Sequence, residues 1–434
     1  MSRRARWASA LVCLALAGLG LALAACQGMG VARTAAYHAA LRPLPKVTII
    51  TGNLTFPSAL VPAGARLVDR RPDLGISVSV SSGTLSSVTV TSGAGKAVAG
   101  TLAAGGTIWH TSWALAPSQV YHVTAAAADG ADRKTVASGS FRTLNPRQTF
   151  SAATSLGWNQ VYGVGMPIMI TFSHPVTDKA EVEQALSVRA SKPVTGAWYW
   201  MSNSEVWFRT RTYWPAHTRV WFEAHLKGVR AAPGVYGAAN LYGHFRIGNS
   251  LIAIASAARH HMKVWYNGHF KGNWPISTGQ PGLDTPDGHY LSFDMGNPVD
   301  MNSASFGVMP GNPGYYNVLV YDSVKFTNDG DYVHSAPWSV GEQGYANVSH
   351  GCVNVAPANA AWYYDHSVLG DPITVVGSPA HGIWNDGWTI WFLSWHKLLA
   401  GSATGQPVQV TSSGSQFQAP AASGPGWHRG VLAG

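Results

Sequence analysis

The chain has 434 residues, a charged fraction of 11% and a formal net charge of +9. This length allows about two to four domains, and a low charged fraction with many Gly, Ser, Thr and Trp residues favours extracytoplasmic β-structure. No cluster of lysine and arginine stands out, which argues against nucleic-acid binding.

The N-terminus has the features of an export signal. Three arginines among the first six residues precede an apolar stretch over 11–25, in the order typical of such signals. The stretch ends in Leu-Ala-Ala before Cys26, which resembles a bacterial lipoprotein cleavage box. We expect a signal peptide over 1–25, lipid on the Cys26 sulfur and a tether over 26–45. The anchor would hold the protein on the outer face of the cell membrane. The export route, Sec or Tat, stays open. An uncleaved membrane anchor is the alternative, although the apolar run is short for a span.

Two segments after the tether share a sequence pattern. A tryptophan stands eight positions before a proline in each, at Trp109 and at Trp207. In both segments apolar residues alternate with small or polar ones, which predicts strands with one buried face. Examples are Ile76, Val78, Val80, Ile168, Ile170 and Phe172. Short strands between Gly, Ser and Pro turns favour β-sandwiches, so we predict Ig-like domains over 46–145 and 146–249.

Three tryptophans of the second segment allow two interpretations. Trp198, Trp200 and Trp214 would contact glycan if exposed, but large aromatic side chains more often fill cores. The sequence leaves open whether the Ig-like domains bind the cell wall or act as spacers.

A third domain is predicted over 250–378 from a change in pattern. Asn267-Gly268 is a strong signal for a two-residue hairpin turn. Helical spacing of apolar residues after Pro357 predicts a helix over 358–369. This domain is therefore expected to be β-rich with one main helix, and the fold class of the chain to be mostly β.

The C-terminal part is predicted to contain a small extension and a tail. Four tryptophans have the spacing of one helix face, which predicts a Trp-rich extension over 379–400 docked on another domain; they are Trp384, Trp388, Trp391 and Trp395. Low complexity over 401–434 predicts a disordered tail.

Cys352 is the candidate nucleophile. The chain has three cysteines; cleavage would remove Cys13 and lipidation would use Cys26, so Cys352 would have no disulfide partner. A cysteine beside glycine with nearby histidines is typical of a catalytic thiol. The alternative, a small buried hydrophobic residue, is about equally common for a lone cysteine.

Two histidines are candidate bases for this thiol. A free cysteine has a pKa of about 8.5, and an ion pair with histidine would lower it. His334 lies eighteen positions upstream, and a strand, a loop and a returning strand would bring it beside Cys352. His350 lies two positions away. A core histidine is the alternative for His334. The amides of Gly351 and Cys352 are candidate oxyanion donors, because glycine lets backbone approach substrate closely.

No metal or other cofactor is predicted. The remaining histidines lack the spacing of a metal motif, and the cysteines do not form pairs.

At these residues the chain resembles a known family. The stretch His334-Ser335 … Ser349-His350-Gly351-Cys352-Val353-Asn354 is similar to the motif of YkuD-type L,D-transpeptidases. Supporting similarity extends over 276–279, 285–288 and 301–308. The whole chain resembles mycobacterial-type members, which have a lipoprotein signal and two Ig-like domains before the catalytic domain.

The resemblance implies a reaction and its partners. The family forms 3→3 cross-links in peptidoglycan, with stem peptides as substrates, a thioester intermediate and release of D-alanine. It is also acylated by carbapenem-type β-lactams. Cys352 would be the nucleophile, His334 the base, and the carbonyl of Ser335 would orient the His334 ring.

The resemblance also assigns the residues around the nucleophile. His350, Gly351 and Cys352 would line the oxyanion hole. The substrate-binding residues would be Met301, Phe306, Trp338, Ser349 and Asn354. Phe306 and Asp329 stand where close relatives often have tyrosine and serine, and neither change affects the nucleophile or the base.

Two other functions stay open. A cell-wall L,D-carboxypeptidase or endopeptidase would use the same cysteine with water as acceptor. A non-catalytic envelope-binding lipoprotein would act through its Ig-like domains, but it would leave the Ser-His-Gly-Cys arrangement unexplained.

Overall fold

The structure is a computed structural model that describes residues 45–51, 54–56, 69–103, 105–131, 133–312 and 315–417. The predicted signal peptide, Cys26 and the tether up to residue 44 lie outside the described residues, as does 418–434. The chain divides into two compact units. The first comprises the described residues up to Arg70 with those of Gly75–Thr111 and Gln119–Arg142. The second comprises Arg71–Leu74, Ser112–Ser118 and the described residues from Thr143 onward.

The first unit is a β-sandwich. Its sheets have the strand orders β2-β1-β4-β7-β6 and β3-β9-β8-β5. The strands are β1 (Val47–Thr51), β2 (Leu54–Phe56), β3 (Asp69–Arg70), β4 (Ile76–Val80), β5 (Thr84–Ser92), β6 (Gly100–Leu102), β7 (Ile108–Thr111), β8 (Val120–Ala128) and β9 (Lys134–Thr143). Ile76, Val78 and Val80 face the core while the residues between them are partly exposed. The predicted alternation is therefore confirmed here.

A second sandwich begins the other unit. Its main sheets contain β11-β13-β16-β15 and β12-β20-β17-β14, and a small sheet contains β10-β19-β18. The elements are β10 (Gln148–Phe150), β11 (Ala152–Ala153), β12 (Val161–Tyr162), β13 (Ile168–Phe172), α1 (Lys179–Gln184), β14 (Leu186–Ala190), β15 (Val194–Trp200), β16 (Glu205–Thr210), β17 (Arg219–Ala224), β18 (Arg230–Ala232), β19 (Val235–Gly237) and β20 (Leu241–Ile247). Trp198, Trp200 and Trp214 are buried in its core, which confirms the packing interpretation over glycan contact.

The third domain is built on one long mixed sheet of order β24-β30-β21-β22-β23-β29-β28-β27-β25, with β26 paired to β27. The elements are β21 (Leu251–Ser256), β22 (His261–Tyr266), β23 (His269–Ser277), β24 (Gly288–Leu291), β25 (Asp294–Gly296), β26 (Val299–Asn302), β27 (Asn317–Lys325), β28 (Tyr332–Ser335), β29 (Val353–Val355), α2 (Pro357–His366) and β30 (Pro372–Val376). Asn267 and Gly268 both have positive φ, as a type I′ hairpin turn requires. The predicted helix is present and ends three residues early.

The Trp-rich extension is not one helix. Asn385 and Gly387 have left-handed backbone conformations, which interrupt any helix through this segment. Its regular parts are a short 3₁₀ turn at Ile390–Phe392 and α3 (Trp395–Ala400), which begins where the Ser394 side chain accepts from the Lys397 amide. The predicted docking is present, because the Trp391 ring packs edge-on against Tyr213 of the second sandwich.

The prediction of disorder from residue 401 is wrong for 401–417. This segment contains β31 (Val408–Thr411) and β32 (Gly414–Phe417), and β31 pairs with β15 at the edge of the second sandwich. Val408 and Val410 are buried there, with the partly buried Gln409 between them. The low complexity of the segment concealed a short period-two strand.

Within the described residues, no helix is long and apolar enough to cross a membrane.

Candidate active site

Two neighbouring parallel strands position the candidate base and nucleophile. β28 and β29 pair with Val333 opposite Val353 and His334 opposite Asn354. One residue earlier, the same register sets Cys352 beside Tyr332, which lies two residues before His334. Cys352 itself lies in the bend directly before β29, so the strand pairing places it near β28, which carries His334. The predicted strand, loop and returning strand are present.

The His334 ring is held in one tautomer. It is 3% exposed, and its Nδ1 lies 2.9 Å from the carbonyl oxygen of Ser335. A carbonyl oxygen can only accept, so Nδ1 carries the proton and the lone pair is on Nε2. Burial lowers the pKa of His334 below its ordinary value. The ring is therefore a neutral base at neutral pH, oriented by a backbone group in the role that a carboxylate fills in other triads.

The thiol of Cys352 is neutral in this conformation. Its hydrogen bond goes to the carbonyl oxygen of Gly330, with Sγ and O 3.7 Å apart. Burial raises the pKa of Cys352 to about 12, and the nearby Asp331 carboxyl group acts in the same direction. The expectation of a thiol pKa lowered by an ion pair with histidine is not met. The reason is that a buried thiolate loses its hydration and the thiol donates to backbone.

Ser349 braces the turn before Cys352. Its hydroxyl donates to the Cys352 carbonyl oxygen at 2.6 Å and accepts from the Gly351 amide at 3.2 Å. The side chain is buried, so in this structure it holds the turn where substrate contact was expected. Because the Gly351 amide is already engaged, it is not a vacant oxyanion donor here. The Cys352 amide is the other donor that the sequence suggested.

The structure gives two conformational reasons for glycine at position 351. Its φ of 130° favours glycine, and a Cβ at this position would collide with Oδ1 of Asp331. Its carbonyl oxygen also accepts a hydrogen bond from the buried Thr285 hydroxyl. A carboxyl group of the protein is thus a close neighbour of this glycine.

Asn354 is also a bracing residue in this structure. It is buried on β29, and its Nδ2 donates to the Ser339 hydroxyl at 3.1 Å. The expected hydrogen bond to substrate would have to compete with this one. The contact ties β29 to the loop that follows β28.

The remaining predicted site residues surround the two strands. The His350 side chain is exposed, with its ring 4.8 Å from that of Tyr316. Trp338 is 55% exposed, and its ring centroid lies 5.9 Å from that of His334. Met301 is partly buried on β26, opposite Val318 of β27. Phe306 ends a short 3₁₀ turn, and its side chain lies outside the described part of the structure.

Sequence reasoning missed two residues beside the thiol. Tyr316 precedes β27, and burial together with the charge of a Cys352 thiolate raises its pKa to about 12. Asp331 is a buried carboxyl group directly before β28. Its position next to Gly330, within the segment leading to His334, was the available signal.

Comparisons with known proteins agree with this architecture. The family model described as the L,D-transpeptidase catalytic domain, YkuD, matches residues 250–375, and one described as a bacterial Ig domain matches 68–230. The chain is 34% identical to L,D-transpeptidase 2 of Mycobacterium tuberculosis over 76% of this chain and 81% of that protein. It is 32% identical to L,D-transpeptidase 5 of the same species over 77% of this chain and 74% of that protein.

A solved structure, the L,D-transpeptidase LdtMt1 in complex with imipenem, is 38% identical with a TM-score of 0.45, over 52% of this chain and 97% of that one. From the relatives' identity and coverage, the chain belongs to the L,D-transpeptidase family. The family predicted from the Ser-His-Gly-Cys motif is confirmed, as is the mostly β fold with Ig-like and L,D-transpeptidase domains.

Proposed function

We propose that the protein forms 3→3 cross-links in peptidoglycan through a thioester on Cys352. The observation that carries the proposal is the neutral His334 ring, which is oriented by the Ser335 carbonyl oxygen. This ring lies on β28, which pairs with β29, the strand that follows Cys352. A neutral imidazole is suited to accept the thiol proton during attack.

The first half-reaction acylates the enzyme. Sγ of Cys352 attacks the carbonyl between the L-centre of diaminopimelate and the terminal D-alanine of a donor stem, while its proton passes to Nε2 of His334. The tetrahedral intermediate collapses, the C–N bond breaks, and His334 returns the proton to the leaving amine of D-alanine. The acyl group of the donor stem is then bound to Cys352 as a thioester. The Cys352 amide is the backbone group suited to stabilise the oxyanion.

The second half-reaction transfers the acyl group. The side-chain amine of diaminopimelate on an acceptor stem attacks the thioester carbonyl and loses a proton to His334. The C–S bond breaks, and the sulfur recovers its proton from His334. Exclusion of water by the partly buried site would favour the amine over hydrolysis.

Intact mass tests the nucleophile. The purified chain without its signal segment should gain the mass of one carbapenem, and Cys352→Ala should abolish the gain while leaving the fold intact by circular dichroism. His334→Gln should slow acylation by about 100-fold or more. A folded, reduced protein without an adduct would contradict the proposal.

Product analysis tests the acceptor. With labelled tetrapeptide muropeptides we expect 3→3 cross-linked dimers and equimolar D-alanine, both absent with Cys352→Ala. Release of D-alanine without dimers would assign the protein as a carboxypeptidase. A cellular phenotype unaffected by Cys352→Ala but removed by deletion of 46–249 would favour a binding role.

We also propose that the mature protein is anchored to the outer face of the cell membrane through lipid on Cys26. The support is the sequence around that cysteine. A labelled fatty acid should enter the wild-type protein and not Cys26→Ser, and only the wild type should partition into the membrane fraction. Equal labelling of both proteins would contradict this proposal.

A further inference from the structure

Asp331 lies directly beneath the turn that carries the nucleophile. It precedes β28 and follows Gly330, whose carbonyl oxygen accepts from the Cys352 thiol. It is 9% exposed, and its Oδ1 packs so closely on Gly351 that no Cβ would fit there. Gly351 is the residue before Cys352, so the carboxyl group and the thiol are neighbours in space.

The carboxyl group is held in place by its own loop. The Thr327 hydroxyl donates to Oδ2 at 3.0 Å and accepts from the Asp331 amide at 2.8 Å. The Asp331 carbonyl oxygen accepts from the Phe326 amide at 3.0 Å. Among the ion pairs of the described residues none involves Asp331, so no cation neutralises it there.

The surroundings of Asp331 favour its neutral form. Burial raises the pKa of Asp331 to about 6, against the Thr327 hydrogen bond, and Asp386 and Asp329 raise it further. The other titratable groups facing it are the Tyr290 and Tyr316 hydroxyls and the Cys352 thiol, whose pKa values its charge raises. The carboxyl group therefore changes charge within the range of pH found outside cells.

We propose that Asp331 is a positioning residue that couples the reactivity of Cys352 to pH: its neutral form permits the thiol to ionise during attack, and its carboxylate opposes that ionisation. This inference rests on the proposed role of Cys352 as nucleophile. A negative charge beside a developing thiolate disfavours it, so acid conditions relieve the opposition. The His334 ring also titrates, but its effect is common to wild type and Asp331 variants.

The test is the rate of Cys352 alkylation by iodoacetamide between pH 5 and pH 8. Asp331→Asn keeps an acceptor for Thr327 and removes the charge. Its rate should equal that of the wild type within about twofold at pH 5 and exceed it by about tenfold at pH 8. Asp365→Asn, an exposed carboxylate on α2, is the matched control and should follow the wild type at every pH.

A second variant moves the midpoint without removing the carboxyl group. Thr327→Val deletes the hydrogen bond that favours the Asp331 carboxylate, so the pKa of Asp331 should rise. The pH range over which the alkylation rate equals that of Asp331→Asn should therefore extend to higher pH. If Thr327→Val changed the alkylation rate by the same factor at every pH, without displacing the profile, the role of Asp331 would be merely structural. Thr327→Val also provides the test if Asp331→Asn does not fold.

The outcomes separate this inference from the proposed function. Parallel pH profiles for wild type and Asp331→Asn, with Cys352 still reactive, would overturn the role of Asp331 alone. A thiol that resists alkylation in both proteins at every pH would overturn the nucleophile itself, and with it both proposals.

Discussion

The two Ig-like sandwiches differ in the residues that fill their cores and in the chain that completes them. The first is packed mostly with aliphatic side chains such as Val78, Val123 and Ala125, and the buried aromatic residues of its described part are Trp109, Tyr121 and Phe141. The second is packed with large aromatic ones, including Trp198 and Trp214. The sequences of both sandwiches show the same alternation of apolar and polar residues. This pattern therefore predicts a sandwich without predicting which side chains fill its core.

The second sandwich is also continuous with the rest of its unit. The C-terminal strand β31 extends its sheet, and the Gly163 and Gly165 amides donate to carbonyl oxygens at Leu369 and Gly370 of the third domain. The Trp391 indole donates to the Gly165 carbonyl oxygen at 2.8 Å. The first sandwich is a unit of its own. The comparison teaches that two similar repeats are coupled differently to the catalytic domain.

The largest expected effect concerns Glu183, where α1 meets the C-terminal segment. Its buried carboxyl group accepts from the Trp200 indole at 3.0 Å, the Ser402 hydroxyl at 2.6 Å and the Ala403 amide at 2.7 Å. Glu183→Ala leaves these donors without an acceptor, so the free energy of unfolding should fall by about 3–4 kcal/mol. Urea denaturation followed by tryptophan fluorescence measures it.

Glu223→Ala is the matched control for this prediction. Glu223 lies on the same sandwich, partly exposed, and pairs with Arg189 and His225. Pairs of this kind contribute about 1 kcal/mol or less. Equal losses in both variants would mean that the C-terminal segment adds little to the second sandwich.

The next effect concerns pH and the seam at Asp371, between the second sandwich and the third domain. Asp371 is buried beneath Gly163; its Oδ2 accepts from the Val368 amide at 2.8 Å, while Oδ1 has no hydrogen-bond partner. Burial raises its pKa well above the ordinary value. A raised folded-state pKa means that stability is fullest below the unfolded-state pKa and is lost as pH rises toward the folded one.

Asp371→Asn removes that dependence. Its free energy of unfolding relative to wild type should therefore be higher at pH 8 than at pH 5. Denaturant titrations at both values measure the difference, and Asp365→Asn should show no such change. If the wild type and Asp371→Asn lost stability in parallel as pH rises, the seam would not be the source.

The smallest effect is expected from removing the first sandwich. A chain starting at residue 143 lacks the first sandwich and also Arg71–Leu74 and Ser112–Ser118 of the second unit, but it keeps every strand of the third domain. It should therefore be acylated by a carbapenem within about twofold of the rate for the longer chain. Stopped-flow fluorescence measures both rates, and Cys352→Ala in the shorter chain is the control. A tenfold loss would show that the separate unit contributes to the active site.

Much of the site could be predicted from local sequence, because short-range rules govern it. The strand at His334, the returning strand at Val353 and the turn at Asn267-Gly268 are all present. Ser349 and Asn354, which are predicted to contact substrate, brace the turn and the loop in this structure. Their partners are backbone and side-chain groups that a linear pattern does not bring together.

The C-terminal part shows the opposite limit. Tryptophan spacing predicted a continuous helix, but left-handed residues at Asn385 and Gly387 divide the segment. Composition predicted disorder where Val408 and Val410 complete a sheet. A lone edge strand becomes stable only when its hydrogen bonds and apolar face find a partner, and that partner lies about two hundred residues earlier.

By itself, the sequence determined the class of each domain and the family, because periodicity and a short motif are local properties, and the pair of Cys352 and His334 stays a prediction from that motif. The tertiary structure decided the charge state of the thiol, since burial and the approach of Asp331 set it. It also decided which sandwich joins the catalytic unit. Both depend on contacts between distant parts of the chain, where desolvation and hydrogen bonding depend on which groups fold together.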